Sequence, residues 1–384
     1  MTGVIQMRAM RASLFVRRLA SVSAVAVTIA VSSCVSMRPS GSLSQRPSAP
    51  QNVGVTKGSG ALTKTAFLSD PGLGSISDLV WSEKVSSPGA KLCVAGSRGA
   101  AFADAKGTVL SSVAFVGSAD RVTVVDGAEP GGCRFLNRGS WGEEVRLFSH
   151  DGKVLWTYGG DPGVDDAACG DVDGDGRLEF VVGFNGGGGV HLLDSQGRKR
   201  WEQPDGNVWH VEIGDIDGDG RQEIIHSCAA GEMVVRDRDG KVLRRSRPPG
   251  YFDSFALCHW PDREGPLRVV WASAGSIYVL DSGASPVAEL SAPDLGDMGD
   301  ICATPVKLRA GEPSFFATVV SFRRERRTVL YVHDHSRGLI YQEVLAEPCS
   351  ALVALPAEGA GGEALLLGGS GGQVWRYAAG AGAP

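Results

Sequence analysis

The chain reads as an all-β protein: a seven-bladed β-propeller of four-stranded antiparallel blades, its ring closed by an N-terminal strand. Three observations predict this. An acidic loop motif occurs twice, 44 residues apart, and each copy leads into paired apolar runs. An Asp-x-x-Gly turn recurs at near-equal intervals along most of the chain. Finally, 53 of the 384 residues are glycine and only 7% are aromatic, the make-up of a turn-rich β protein rather than a helical one.

Taken in order, residues 1–33 hold Arg8, Arg11, Arg17 and Arg18 and no acid, with an apolar stretch from Leu19 to Val31 ahead of Ser32-Ser33-Cys34. A basic region, a short apolar region and small residues before a cysteine resemble a bacterial lipoprotein signal cleaved ahead of Cys34. The apolar run is too short for a membrane span. Acyl chains on Cys34 would anchor the protein to a membrane of the bacterial cell envelope, facing the periplasm or the cell surface. Removing the signal takes four of the 38 basic residues and none of the 43 acidic ones, which moves the net charge from −5 to about −9. That balance argues against a nucleic-acid partner. Residues 34–60 are rich in Ser, Pro, Gly and Gln and read as a flexible tether.

The propeller is expected over residues 61–380. Its third strands end at equivalent turn positions near 104, 149, 194, 237, 281, 334 and 377, with gaps of 45, 45, 43, 44, 53 and 43 residues. The last unit stops about one strand short, while a spare apolar segment at 61–68 precedes the first. Pairing those two ends would remove both exposed edges, so the 61–68 segment is expected to complete the final blade. Seven cysteines follow Cys34, an odd number with no CxxC spacing, and no connectivity follows from them.

The acidic loops carry the clearest chemistry. Asp171, Asp173 and Asp175 alternate, Gly176 gives a permissive backbone and Glu179 closes the series; Asp215, Asp217, Asp219, Gly220 and Glu223 repeat it. With the backbone carbonyls of Arg177 and Arg221, each set makes an oxygen cage suited to a hard cation, and calcium tolerates such irregular geometry better than magnesium. An EF-hand loop would need its closing glutamate at position twelve, where Val182 and His226 stand. The loops resemble the FG-GAP or VCBS repeat family, the calcium-loop blades of integrin-α-like propellers. That resemblance covers about 75 residues and implies two Ca²⁺ sites of structural duty. The corresponding loops of the other blades lack the carboxylates.

Ligand surfaces are expected on the opposite face. The connections there carry Asp161, Asp165 and Asp166, then Trp209 and His210, then Tyr251, Phe252 and Asp253, then Asp294, Asp297 and Asp300. Aromatic and acidic groups at a propeller mouth suit a sugar or a peptide, and packing between blades is the competing reading. Gly368 to Gly372 formally fits a nucleophile elbow, but two strands flank it and a hairpin is expected. His333 and His335 fall at a strand-to-turn position, and the basic run 323–327 reads as a hairpin tip. No nucleophile, base and oxyanion set can be assembled. The expected function is a non-enzymatic, monomeric binding or scaffolding module for glycan or protein. The alternatives are a lyase-like propeller acting on polysaccharide, and an outer-membrane assembly scaffold, since Trp156 and Trp201 after the turns resemble quinoprotein-type repeats. A charged Asp, His or Arg cluster in the central mouth would favour the enzyme, and an aromatic, uncharged mouth the binding module.

Overall fold

In the computed structural model the described residues are 53–82, 87–117, 119, 121–125, 132–138, 144–295, 299–322, 327–345, 347–357, 359 and 361–380. The signal, Cys34, the first part of the tether and most of the basic run at 323–327 lie outside them. Among the described residues no helix is long and apolar enough to cross a membrane.

Seven antiparallel sheets follow one another along the chain. Blades one to seven span 76–114, 122–158, 164–203, 211–246, 255–291, 300–345 and 351–379. The core is divided rather than central. Each of seven apolar clusters lies between two consecutive blades. Blade three meets blade four, for example, through Val181 and Leu192 on one side and Val208, Val211 and Ile224 on the other. A middle strand is therefore covered on both faces, as in Glu179–Phe184, where all six residues are buried. An outer strand such as Val242–Ser246 is nearly all exposed. This is why the middle strands read as unbroken apolar runs and the outer ones do not.

The turn motif has a specific inter-blade duty. Its aspartate, as at Asp194, accepts the Gln196 and Arg198 amides on one oxygen at 2.9 Å each. Its glycine takes a positive φ, and a Cβ on Gly197 or Gly240 would meet the ring of Trp156 or Trp201 in the preceding blade at 2.7 and 3.1 Å. Only glycine gives both the left-handed turn and that close approach.

The ring closes as the unpaired ends required. Leu62–Ser69 forms the outer strand of blade seven, pairing from Leu62 opposite Ala379 to Ser69 opposite Gln373 with one bulge between Ala66 and Leu68. For the same reason position 377 is not a turn: Tyr377 stays in strand Gln373–Ala379, opposite Lys64 and Leu365. A second N-terminal strand was not expected. Gly54–Lys57, placed by composition in the tether, adds a fifth strand to blade six against Leu339–Leu345. An open sheet edge offers backbone donors and acceptors to any extended segment, so this pairing needs no apolar signature.

Candidate metal loops and a charged central channel

Both acidic loops join the first strand of a blade to its second. In blade three the hairpin begins at the pair Gly170 and Glu179. The Asp171 carboxylate turns inward and accepts the amides of Gly174 at 2.8 Å, Asp175 at 3.1 Å and Gly176 at 3.0 Å. Glu179, 1% exposed, accepts the Val172 amide at 3.2 Å through Oε2. Its buried Oε1 receives no hydrogen bond. Blade four repeats the pattern: Asp215 accepts from Gly218 and Gly220, and Glu223 from Ile216.

In each loop three carboxylates converge: Asp171, Asp173 and Glu179, and likewise Asp215, Asp217 and Glu223, each offering an oxygen within 4.8 Å of the others. These two clusters could hold a metal. Asp175 and Asp219 point elsewhere, each accepting the amide two residues on, of Arg177 and Arg221, at 2.8 Å. Burial pushes Glu179 up to about 6, and burial with three neighbouring aspartates pushes Glu223 up to about 7. Carboxylates crowded around a buried glutamate are the electrostatic signature of a site that fits a cation.

The second feature is a cavity of about 290 Å³ on the propeller axis, lined by the innermost strands and including Asp78, Arg121, Arg138, His210, Glu212 and Asp300. Its hub is Asp166, fully buried in blade three. Arg138 of blade two donates to both Asp166 oxygens at 2.9 Å and reaches Glu212 at 3.2 Å. From blade four, His210 Nδ1 lies 2.7 Å from Asp166 and Nε2 3.4 Å from Glu212, and the Val211 amide donates to Asp166 at 3.3 Å. Between blades one and two, Asp78 accepts the Val124 amide at 2.8 Å.

These contacts set the charge states. Burial would raise Asp166, but the guanidiniums of Arg138 and Arg121 and the His210 ring outweigh it and hold the carboxyl well below its usual range. Burial would lower His210, but Asp166 and Glu212 hold it up at about 9. Asp78 and Asp165 are pushed up to about 6, chiefly by burial. The raised histidine gives a stability term that is full below the unfolded value of about 6.5 and is lost as pH rises through 9. Between pH 6.5 and 8 it declines. Urea unfolding across that window, below the titration of unfolded cysteine, is expected to show this slope in the native chain and a shallower one in His210→Gln, where the raised Glu223 still contributes.

The residues expected at the mouth separate into two groups. His210 belongs to the hub, and Asp253 is buried with its carboxyl raised by burial. Trp209 and Tyr251 pair their rings at 5.4 Å, with Tyr251 46% exposed. Phe252 is packing, stacked on Phe255 at 4.8 Å. His333 is also core, fully buried and 2.8 Å from the Ser291 carbonyl. Ser370 sits in a short turn between two strands and bonds Glu347, as a hairpin requires. Arg121, Arg138 and Glu212 were missed, because only the strand's orientation towards the axis distinguishes them.

Comparison with known proteins bears on the loops and on the ring separately. Residues 171–226 match the FG-GAP-like repeat model. The FG-GAP-like repeat thus takes in both acidic loops. The whole ring is similar to a chain in the crystal structure of BBS1N in complex with ARL6DN, soaked with mercury: TM-score 0.55, 12% identity, 83% of this chain and 98% of that one. The lead-soaked crystal of the same complex gives 0.51, 13%, 82% and 95%. At such identity the likeness shows the fold alone. No curated protein matches the chain.

Proposed function

We propose that this FG-GAP-like propeller is a non-enzymatic binding or scaffolding module for glycan or protein, held at the bacterial envelope by acyl chains on Cys34 and stiffened by two calcium ions. The observation that carries the binding reading is the Trp209 and Tyr251 ring pair, with Tyr251 46% exposed, on which a sugar can stack. The calcium reading rests on the convergent carboxylates of the two loops and on the FG-GAP-like repeat match that takes in both. Asp171, Asp173 and Glu179 would hold one ion and Asp215, Asp217 and Glu223 the other, with the Arg177 and Arg221 carbonyls as further oxygens, while Asp175 and Asp219, expected among the ligands, cap the loop backbone instead. Calcium supplies the positive charge that lets each loop keep its carboxylates together.

A specific observation favours a second reading. The cavity is lined by Asp78, His210 and Glu212 with Arg121 and Arg138, the charged pattern that would favour an enzyme acting on polysaccharide. Against it, His210 Nδ1 and both Asp166 oxygens are engaged across blade interfaces, which is a structural duty. A glycan-array screen of the purified protein, with calcium and with chelator, tests the proposal. A hit is expected to weaken at least tenfold in Tyr251→Ala, and incubation with that glycan is expected to leave it intact. Cleavage of the glycan would replace the binding reading with the enzyme. A blank array from folded protein would turn the search to protein partners by crosslinked pull-down, as the outer-membrane scaffold reading requires.

A further inference from the structure

The two acidic loops share their spacing but not their surroundings. In blade three the outer strand, Lys199–Gln203, bulges beside the loop: Leu192 pairs with Trp201 and Leu193 with Lys199, so Arg200 is the extra residue. Its guanidinium turns onto the loop, Nη1 2.7 Å from Asp173 Oδ2 and Nη2 3.2 Å from Glu179 Oε1. It therefore engages two of the three convergent carboxylates. Blade four has the same bulge, with Val235 opposite Arg244 and Arg236 opposite Val242. There the extra residue is Leu243, half exposed and uncharged. Among the described residues no basic side chain pairs with Asp215, Asp217 or Glu223.

We propose that Arg200 is a built-in competitor for the blade-three cation, so that the two loops bind calcium unequally: the blade-four loop loads first, and the blade-three loop loads only as Arg200 is displaced. The inference rests on the calcium reading above and deepens it. The physical reason is direct. A guanidinium about 3 Å from two carboxylates supplies part of the positive charge the loop lacks, and it repels an incoming divalent ion or must give up its ion pairs. The Arg200 contact does not complete the site, since its 3.2 Å approach to the buried Glu179 Oε1 is an ion pair without hydrogen-bond geometry. Arg200 is itself 38% exposed in its side chain, so water can take it when it leaves. The protein then responds to calcium in two steps, the second releasing a cationic side chain at the outer rim of blade three.

Calcium titration of the whole chain by calorimetry, at fixed pH and ionic strength, tests this with two variants. The native protein is expected to bind two ions with affinities at least tenfold apart. Arg200→Leu should tighten the weak step tenfold or more and leave the strong step in place. Leu243→Arg, which sets the same competitor beside the blade-four loop, should weaken the strong step by a similar factor. A role for Arg200 in holding the fold alone would not produce that reciprocal pattern. Two ions bound with affinities that neither variant alters would overturn the inference and leave the calcium reading standing. No calcium bound by any of the three proteins would overturn both.

Discussion

Replacing Asp166 with alanine is expected to destabilise the protein by about 3–5 kcal/mol, the range for breaking a buried ion pair from one side. The carboxylate is fully buried and joins three blades, accepting Arg138 from blade two and the Val211 amide from blade four. His210 of blade four completes the set. Without it the Arg138 guanidinium and the His210 imidazolium face each other across the channel, short of the charge that held them. Desolvation of those two groups, not the lost bonds themselves, dominates the cost. Urea unfolding at constant calcium measures it, with exposed Asp161→Asn as a control expected to stay within about 0.5 kcal/mol. Replacing Arg138 by methionine in the same chain should recover part of the loss, because one unpaired cation is then removed. A cost below about 1 kcal/mol would mean that apolar packing between blades holds the ring without the hub.

Removal of calcium is expected to have an effect of similar size. An ion that binds only the folded chain stabilises it by about 2.7 kcal/mol when its free concentration is a hundred times the dissociation constant. Two such ions contribute about 5 kcal/mol. Chelator should therefore lower the unfolding midpoint, and calcium should restore it where equal magnesium does not, because magnesium demands regular octahedral geometry and sheds water reluctantly.

The parts of this structure that were legible in the sequence are those set by local chemistry. The turn aspartates and their glycines repeat because each blade needs the same Asp-capped turn, and Gly197 and Gly240 must also clear a tryptophan. The acidic loops were legible because their carboxylates are close in sequence. Ring closure by Leu62–Ser69 followed from counting strands. Three things were not legible, each for a long-range reason. Gly54–Lys57 joins blade six through backbone groups that any residue carries. Arg138 meets Asp166 only because neighbouring blades present both side chains to one axis. Arg200 reaches Asp173 because a bulge shifts the outer strand by one residue, which no spacing in the loop records.

The measurement that tests the central claim most directly is thermal unfolding of the purified chain across a calcium titration, beside an Asp171→Asn and Asp215→Asn double variant. The expected result is a midpoint that keeps rising with the logarithm of free calcium, with a limiting slope for two ions per chain, and a flat response in the double variant. An unfolding midpoint unchanged from chelator to millimolar calcium in the native chain would contradict it, leaving the acidic loops as solvated turns in a propeller held by its inter-blade cores alone.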